Sequence, residues 1–312
     1  MIIEKSEEII RKIGNVLIGK EDVVKKVLMA VYAKGNVLLE DTPGVGKTTL
    51  ALAFAKALGL EFKRVQFTPD TMPSDITGFT VYNKETGEFD YKQGAIVCNL
   101  FMGDEINRAS AKTQSALLEA MEENAVTVDG VTHRLPNPFI CIATQNPAGS
   151  SGTQPLPESQ LDRFMVKLSI GYPDANEQVE MLKRHQASDP IDSLSTVTDR
   201  DSIIEIQNYL GSVKISDDIL EYLVALCEAT RHNPLIELGM SPRGLIALSR
   251  MVRACAVLNE RDYVTPADVK EVFSDVCAHR LILRPRAKLE GLTARNVTEQ
   301  ILGAVSVAPI NR

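Results

Sequence analysis

Short, nearly unbroken apolar runs recur through the first half of the chain, with helix-like stretches between them. Asn36–Glu40 (NVLLE), Lys63–Phe67 (KRVQF), Asn99–Asp104 (NLFMGD), Phe139–Thr144 (FICIAT) and Met165–Ile170 (MVKLSI) have the length and apolar content of strands covered on both faces. Two segments predict helices: Ala/Leu-rich Lys47–Leu58, which stops at Gly59, and Ala111–Glu123, which follows the N-cap residue Ser110. Strands alternating with helices imply a mostly parallel α/β sheet. Two β-hairpins interrupt that rhythm. Thr80–Tyr91 turns at Thr86-Gly87, and Ala125–Leu135 alternates β-branched residues around Asp129-Gly130. Both read equally well as decorations of a sheet edge and as tools inserted on a motor core.

The pattern changes after Gly171-Tyr172-Pro173. From Asp174 onward no strand signal competes with helix, and helical stretches follow Asp174, Ser216, Ser241 and Thr265, each a good N-cap residue. Ser241-Pro242 and Thr265-Pro266 put proline at the first helical position, and Asp268 stands where a capping-box acid belongs. The expected organisation is an α/β core over residues 1–172 and a helical domain over 173–312. A chain of this length has room for both.

Composition narrows the class. Hydrophobic residues make up 44% and charged residues 24% of the chain, the balance of a soluble globular protein. No apolar run approaches the roughly 18 residues of a membrane span, and MIIEKSEEII puts acids where a signal peptide is basic. Five cysteines, scattered and never spaced C-x-x-C, fit a reduced, cytoplasmic protein. A net charge of −7 disfavours non-specific nucleic-acid binding as the main activity.

The strongest chemical signal is Pro43-Gly44-Val45-Gly46-Lys47-Thr48-Thr49, set between an apolar strand and an Ala-rich helix. Glycines let such a loop curl so that backbone N–H groups face phosphate oxygens. Lys47 supplies a point charge for the β- and γ-phosphates, and the Thr48 hydroxyl is a ligand for Mg²⁺. Asp41 replaces the first glycine of the full G-x-x-x-x-G-K-[ST] pattern, where it bears on loop entry more than on phosphate contact. The partner motif, Leu100–Glu105, is an apolar strand ending in two acids. Asp104 would hold Mg²⁺ or its waters, and Glu105 would orient and deprotonate the attacking water. Asn146 follows the Phe139–Thr144 strand, where a neutral polar side chain positions water beside a γ-phosphate. Arg163, on composition alone, reads as an ordinary ion pair with Asp162 or a neighbour. Arg243 opposes the dipole of its own helix at the second position, which makes sense if it shares an anion with that helix terminus.

These strings resemble one family closely, the MoxR group of AAA+ ATPases. The likeness covers Ile18-Gly19-Lys20, Glu40–Thr48, Gln66–Gly78 (QFTPDTMPSDITG), Gly103–Glu122 (GDEINRASAKTQSALLEAME), Ala143–Pro147 (ATQNP), Gly152–Phe164, Gly239–Gly244 and His279–Gly291. It implies a phosphate-loop AAA+ core with a parallel sheet flanked by helices and a C-terminal all-helical lid. It makes Asn146 the first sensor, Arg243 the second sensor, and Arg163 the arginine finger reaching a neighbouring subunit. Ile18 and Gly19 match the adenine-side segment, although Lys20 stands where the family usually has Gln. The two hairpins match insertions that face the pore of a ring. The resemblance further implies a hexamer that uses ATP and Mg²⁺ to remodel protein partners, commonly ones carrying von Willebrand factor A domains. Rival readings are a slow nucleotide-gated switch and a DNA-dependent motor, the second opposed by the acidic balance.

Several patterns are decoys. Asp75–Gly78 satisfies a GTPase D-x-x-G but follows Pro73-Ser74, not a core strand, and Asn83–Thr86 lacks the Asp of a guanine-reading motif. Four histidines and the cysteines have no zinc spacing. Arg280, Arg284, Arg286 and Lys288 form a local basic stripe that reads as a solvated face or a subunit contact.

Overall fold

The computed structural model describes residues 2–146, 155–185 and 190–306. Pro147 of the ATQNP string and Gly152–Gln154 of the next one lie outside the described residues. In chain order the first elements are α1 (Ile2–Val16), α2 (Glu21–Tyr32), β1 (Val37–Glu40), α3 (Lys47–Ala57), β2 (Phe62–Gln66) and α4 (Pro73–Thr77). The first hairpin, β3 (Gly78–Tyr82) with β4 (Phe89–Gln93), comes next, then β5 (Leu100–Asp104) and α5 (Ala111–Glu123). The second hairpin is β6 (Ala125–Val128) with β7 (Val131–Arg134), followed by β8 (Ile140–Gln145), α6 (Glu158–Leu161) and β9 (Val166–Leu168). The C-terminal part runs α7 (Ala175–His185), α8 (Arg200–Tyr209), α9 (Asp217–His232), β10 (Ile236–Leu238), α10 (Pro242–Leu258), α11 (Pro266–Cys277), β11 (Ile282–Leu283), α12 (Pro285–Leu289) and α13 (Ala294–Ala304).

Five strands form the predicted parallel sheet, in the order β2-β5-β8-β1-β9. All residues of β5 and β8 are buried, as strands with helices on both faces must be, whereas edge strand β2 carries Lys63, Arg64 and Gln66 and stays partly exposed. Registers Glu40↔Gln145 and Gly103↔Ala143 bring the carboxyl ends of β1, β5 and β8 to one edge of the sheet. That edge is where parallel α/β sheets bind ligands. On one sheet face Phe101, Cys141 and Phe164 pack with Leu117 and Leu118 of α5.

The other face belongs to a larger apolar cluster. It joins Ile9, Ile13 and Leu17, which recur at helical spacing, with α2, α3, the sheet and helices α8 to α13. Ion pairs Lys25–Glu271 (2.8 Å) and Lys26–Asp275 (2.9 Å) tie α2 to α11. Among the described residues the C-terminal part is helical apart from a short antiparallel ladder, β10 with β11, and an isolated bridge between Lys214 and Tyr263. Segments of three and two residues are too short to leave a period-2 pattern, so sequence does not announce them. Asp174 and Ser241 cap their helices through their side chains; at Thr265 the bond runs the other way, the Asp268 carboxylate accepting from the Thr265 N–H, and Ser216 sits at its N-cap position without a side-chain bond.

Candidate functional site: a phosphate loop and two arginine-bearing segments

The loop between β1 and α3 curls through two left-handed glycines, Gly44 (φ +87°) and Gly46 (φ +96°), a conformation that strains any side-chain-bearing residue. A Cβ on Gly44 would meet nothing within 4 Å, so the backbone there lies open to a ligand. Gly46 is the N-cap of α3, an N-terminus whose free N–H groups favour an anion. Val45 packs on the core beneath the loop, and Thr48 and Thr49 are half-buried in the first turn of α3. Asp41 fixes the loop entry: its carboxylate accepts from Ser169 Oγ (2.9 Å) and from the Ile170 N–H (2.5 Å).

Lys47 is buried, yet its ammonium touches oxygens of neutral groups: the Asp41 carbonyl at 2.6 Å and Asn146 Oδ1 at 3.4 Å. Burial lowers its pKa, while Asp41, Asp104 and Glu105 pull the other way. Asn146 passes the contact on, donating Nδ2 to Glu105 Oε1 (3.1 Å), and Arg108 Nη1 donates to Glu105 Oε2 (2.9 Å). Glu105 holds a left-handed backbone (φ 56°, ψ 48°), a strained state for a glutamate that re-aims its carboxylate at the sheet edge. The structure therefore brings Lys47, Asp104, Glu105 and Asn146 together.

Asp104 is buried, with Oδ1 accepting from Thr144 Oγ1 (2.5 Å) and Oδ2 from Arg64 Nη2 (2.6 Å). One carboxylate and the Thr48 hydroxyl fit Mg²⁺, which uses few protein oxygens and completes its shell with water and phosphate. Arg64 stands where such a cation would compete for Asp104. Among the described residues no group of three or more His, Cys, Asp or Glu is arranged to hold a metal by itself.

Beside the loop lies a cavity of about 390 Å³ lined by Leu17, Ile18, Thr49, Tyr172, Gln178 and Met181, among others. Its apolar walls suit a purine ring. Gly19 has φ +71°, a conformation that favours glycine, and a Cβ there would displace the Glu177 carboxylate, 1.6 Å away. Lys20 turns its ammonium to the Tyr172 carbonyl (3.0 Å) and to Glu177 (3.8 Å).

Arg163 and Arg243 are not at this edge. Both line a different cavity, of about 480 Å³, with Lys34, Asn36 and Phe139, which stand at the amino ends of β1 and β8. Arg163 Nε lies 3.3 Å from Glu122 of α5, and Arg243 Nη2 pairs with the other oxygen of the same carboxylate. The sheet separates the two cavities by the length of its strands, about 13 Å for four residues. Asp162, the neighbour expected to pair with Arg163, instead pairs with Arg280 (2.9 Å). Arg280 is consequently buried and leaves the basic stripe, while Arg284, Arg286 and Lys288 are exposed.

The hairpins brace each other: Tyr91 stacks on His133 with centroids 3.8 Å apart, and Thr80 bonds to Asp129. Asp129 and Gly130 both take positive φ, as a two-residue turn of this kind requires. The decoys are local structure, Asp75 capping α4 through the Met72 N–H and Asn83 accepting from Glu85 N. Sequence reading missed Arg64, Thr144, Glu122 and the cavity residues Tyr172, Gln178 and Met181. A Thr at the carboxyl end of a central strand was the available signal for Thr144; the others depend on which segments pack together.

A curled phosphate loop, a strand ending in Asp-Glu and an Asn on the adjacent strand define a phosphate-loop ATPase site on an AAA-type sheet. The signature of the ATPase family associated with various cellular activities (AAA) matches residues 36–166, and that of the AAA lid domain matches 228–301. The chain is 48% identical over 303 residues to YeaC of Bacillus subtilis, covering 97% of this chain and 94% of that one. It is 36% identical to Chaperone MoxR1 of Mycobacterium tuberculosis, covering 98% and 83% of the two chains. A crystal structure from Cytophaga hutchinsonii, described as a candidate ATPase, superposes with a TM-score of 0.91 at 38% identity, covering 99% and 96%. The chain belongs to the MoxR family of AAA+ ATPases.

Proposed function

We propose that this protein hydrolyses ATP with Mg²⁺ and uses the cycle to remodel a protein client from within a head-to-tail homohexameric ring. The observation that carries the hydrolysis is the contact chain Lys47–Asn146–Glu105–Arg108 beside the phosphate loop. Gly44, Val45, Gly46, Lys47, Thr48 and Thr49 hold the phosphates, and Ile18 and Gly19 close the base side of the cavity. Thr48 and Asp104 hold Mg²⁺, which when bound neutralises charge on the β- and γ-phosphates. Glu105 takes the proton of the attacking water, and Asn146 fixes both that carboxylate and the water. Arg163 and Arg243, absent from their own subunit's phosphate loop, serve the nucleotide of the next subunit, where guanidinium groups stabilise charge on the transferring phosphoryl group.

Residues 1–172 act as the ATPase core and 173–312 as the lid. The hairpins, carrying the half-exposed Tyr82 and the largely exposed Phe89, engage the client at the pore. By family likeness that client is a protein with a von Willebrand factor A domain. All five cysteines are free and buried, which supports a reducing, cytoplasmic setting. The direct test divides the labour of two residues. Lys47→Ala should abolish ATP binding, whereas Glu105→Gln should keep binding and lower turnover by about 10²–10⁴-fold, the usual loss of a general base. Glu105→Gln turning over ATP within about tenfold of the parent rules out its assigned role.

A further inference from the structure

The segments that bear Arg163 and Arg243 come from distant parts of the chain, yet one polar hub joins them, built of the buried Arg280 with the partly buried Asp162 and Ser241. Asp162, next to Arg163, accepts from Ser241 Oγ through both carboxylate oxygens, at 2.9 Å each. Ser241 caps α10 by accepting from the Gly244 N–H (3.0 Å), so the carboxylate is linked to the helix turn that carries Arg243. Arg280 Nε binds Asp162 Oδ1 (2.9 Å) from beneath. Its Nη2 then donates to the carbonyls on either side of Arg163, Asp162 O at 3.2 Å and Phe164 O at 2.5 Å. Nη1 reaches Met165 O (3.2 Å) and also Val276 O.

Space is reserved for this guanidinium. A Cβ on Gly244 would lie 2.8 Å from Arg280 Cδ and 3.0 Å from its Nε, so only glycine lets α10 close over it. Next to it His279 is buried and its pKa falls well below the ordinary value, first through desolvation and then through the charge of Arg280. Burial lowers the pKa of Arg280 as well, and Asp162, its counter-ion, acts against that shift.

We propose that Asp162 and Arg280, paired directly and tied to α10 through Ser241, are positioning residues that hold Arg163 and Arg243 as one rigid pair for the neighbouring subunit's nucleotide. The proposal rests on the reading that these two arginines act across a subunit interface. A buried ion pair is by itself poor support for stability, because desolvation offsets its attraction. Here the bonds fall on the carbonyls flanking one arginine and on the cap of the helix bearing the other. Lid and core cannot shift at this point without parting the two guanidiniums, and fixed donors stabilise developing charge better than mobile ones. Glu122 holds both arginines until a phosphate replaces it.

The test uses the full chain, assembled with ATP and Mg²⁺. Asp162→Asn and Arg280→Lys should each lower kcat at least tenfold, with binding of a fluorescent ATP analogue to their own phosphate loops unchanged within about twofold. Combining Asp162→Asn with Arg163→Lys should lower kcat little beyond the lower single variant, since both act on one guanidinium. Ser241→Ala removes a single hydroxyl, and with it the cap of α10, and is the variant of choice if the ion pair is needed for folding; it should lower the melting temperature modestly and kcat several-fold, with binding of the ATP analogue unchanged within about twofold. If Asp162→Asn and Ser241→Ala turn over ATP normally while Arg163→Ala is impaired, the hub has no positioning role. If they lose nucleotide binding together with turnover, the hub is general scaffolding and the proposal falls. Normal turnover by Arg163→Ala would overturn the interface reading beneath it, a separate outcome from failure of the hub alone.

Discussion

Thr144 is fully buried at the carboxyl end of β8, with its hydroxyl set between two acids of the next strand. It donates to Asp104 Oδ1 and accepts from the N–H of Glu105, the residue with the left-handed backbone. Thr144→Val keeps the shape and removes both bonds, stranding a buried N–H and one carboxylate oxygen. The expected cost is about 1–3 kcal/mol of stability, read by urea unfolding, together with slower turnover as Glu105 loses its anchor. Unchanged stability would mean that the N–H finds another partner. Lys47, Asp104, Glu105 and Asn146 were legible in the sequence because each follows a strand whose apolar run marks the site edge. Arg64 was not, and Thr144 offered only its place at the end of a strand, because the partners of both come from registers such as Gly103↔Ala143 and Gln66↔Asp104, which no single strand records.

Helix α11 illustrates what a capping signal is worth at the scale of an element. Asp268 accepts from Thr265 N (2.7 Å) and Thr265 Oγ1 (2.8 Å), the predicted cap, and also forms a two-pronged ion pair with Arg261 that the spacing did not foretell. Burial acts to raise its pKa, but Arg261 and Thr265 outweigh that and hold it below the ordinary carboxylate value. A depressed folded-state pKa contributes stability that is present above about pH 4 and is lost as the pH falls through the folded value. Asp268→Asn should therefore destabilise by about 3 kcal/mol at pH 7, and the gap to the parent should close below about pH 4. A constant gap across that range would show that the carboxylate's charge is not what stabilises. The hairpins make the second element-scale case. Removing Val128–Thr132 deletes the Asp129–Thr80 link and the turn but touches no phosphate, metal or sensor residue. Basal ATPase should survive while its coupling to client remodelling is lost; client remodelling that persists in a folded deletion would end the pore assignment. The hairpins were legible because Thr86-Gly87 and Asp129-Gly130 mark turns between adjacent segments, whereas β10 and β11 were not, since their pairing joins segments more than 40 residues apart.

Across the whole molecule, the placement of Arg243 is the feature that sequence could least supply. Its helix start was readable from Ser241-Pro242, but its position beside Arg163 depends on how α10 packs against the segment before β9 and on the shared carboxylate of Glu122. With phosphate loop and arginines at opposite edges of the sheet, the proposed head-to-tail interface is what would bring the two sets to one nucleotide. Glu105→Gln and Arg163→Ala should each be nearly inactive when pure. In a mixed ring, an Arg163→Ala subunit keeps its own Glu105 and a Glu105→Gln neighbour still offers Arg163. Random equal mixing makes roughly one interface in four complete, so hydrolysis should reappear from two inactive proteins once subunits exchange or are co-expressed. An arginine acting within its own chain leaves every mixture without a complete site. Mixed rings verified by mass that show no recovered ATPase would sink the cross-subunit assignment and return attention to Arg108, which already contacts Glu105 within the subunit.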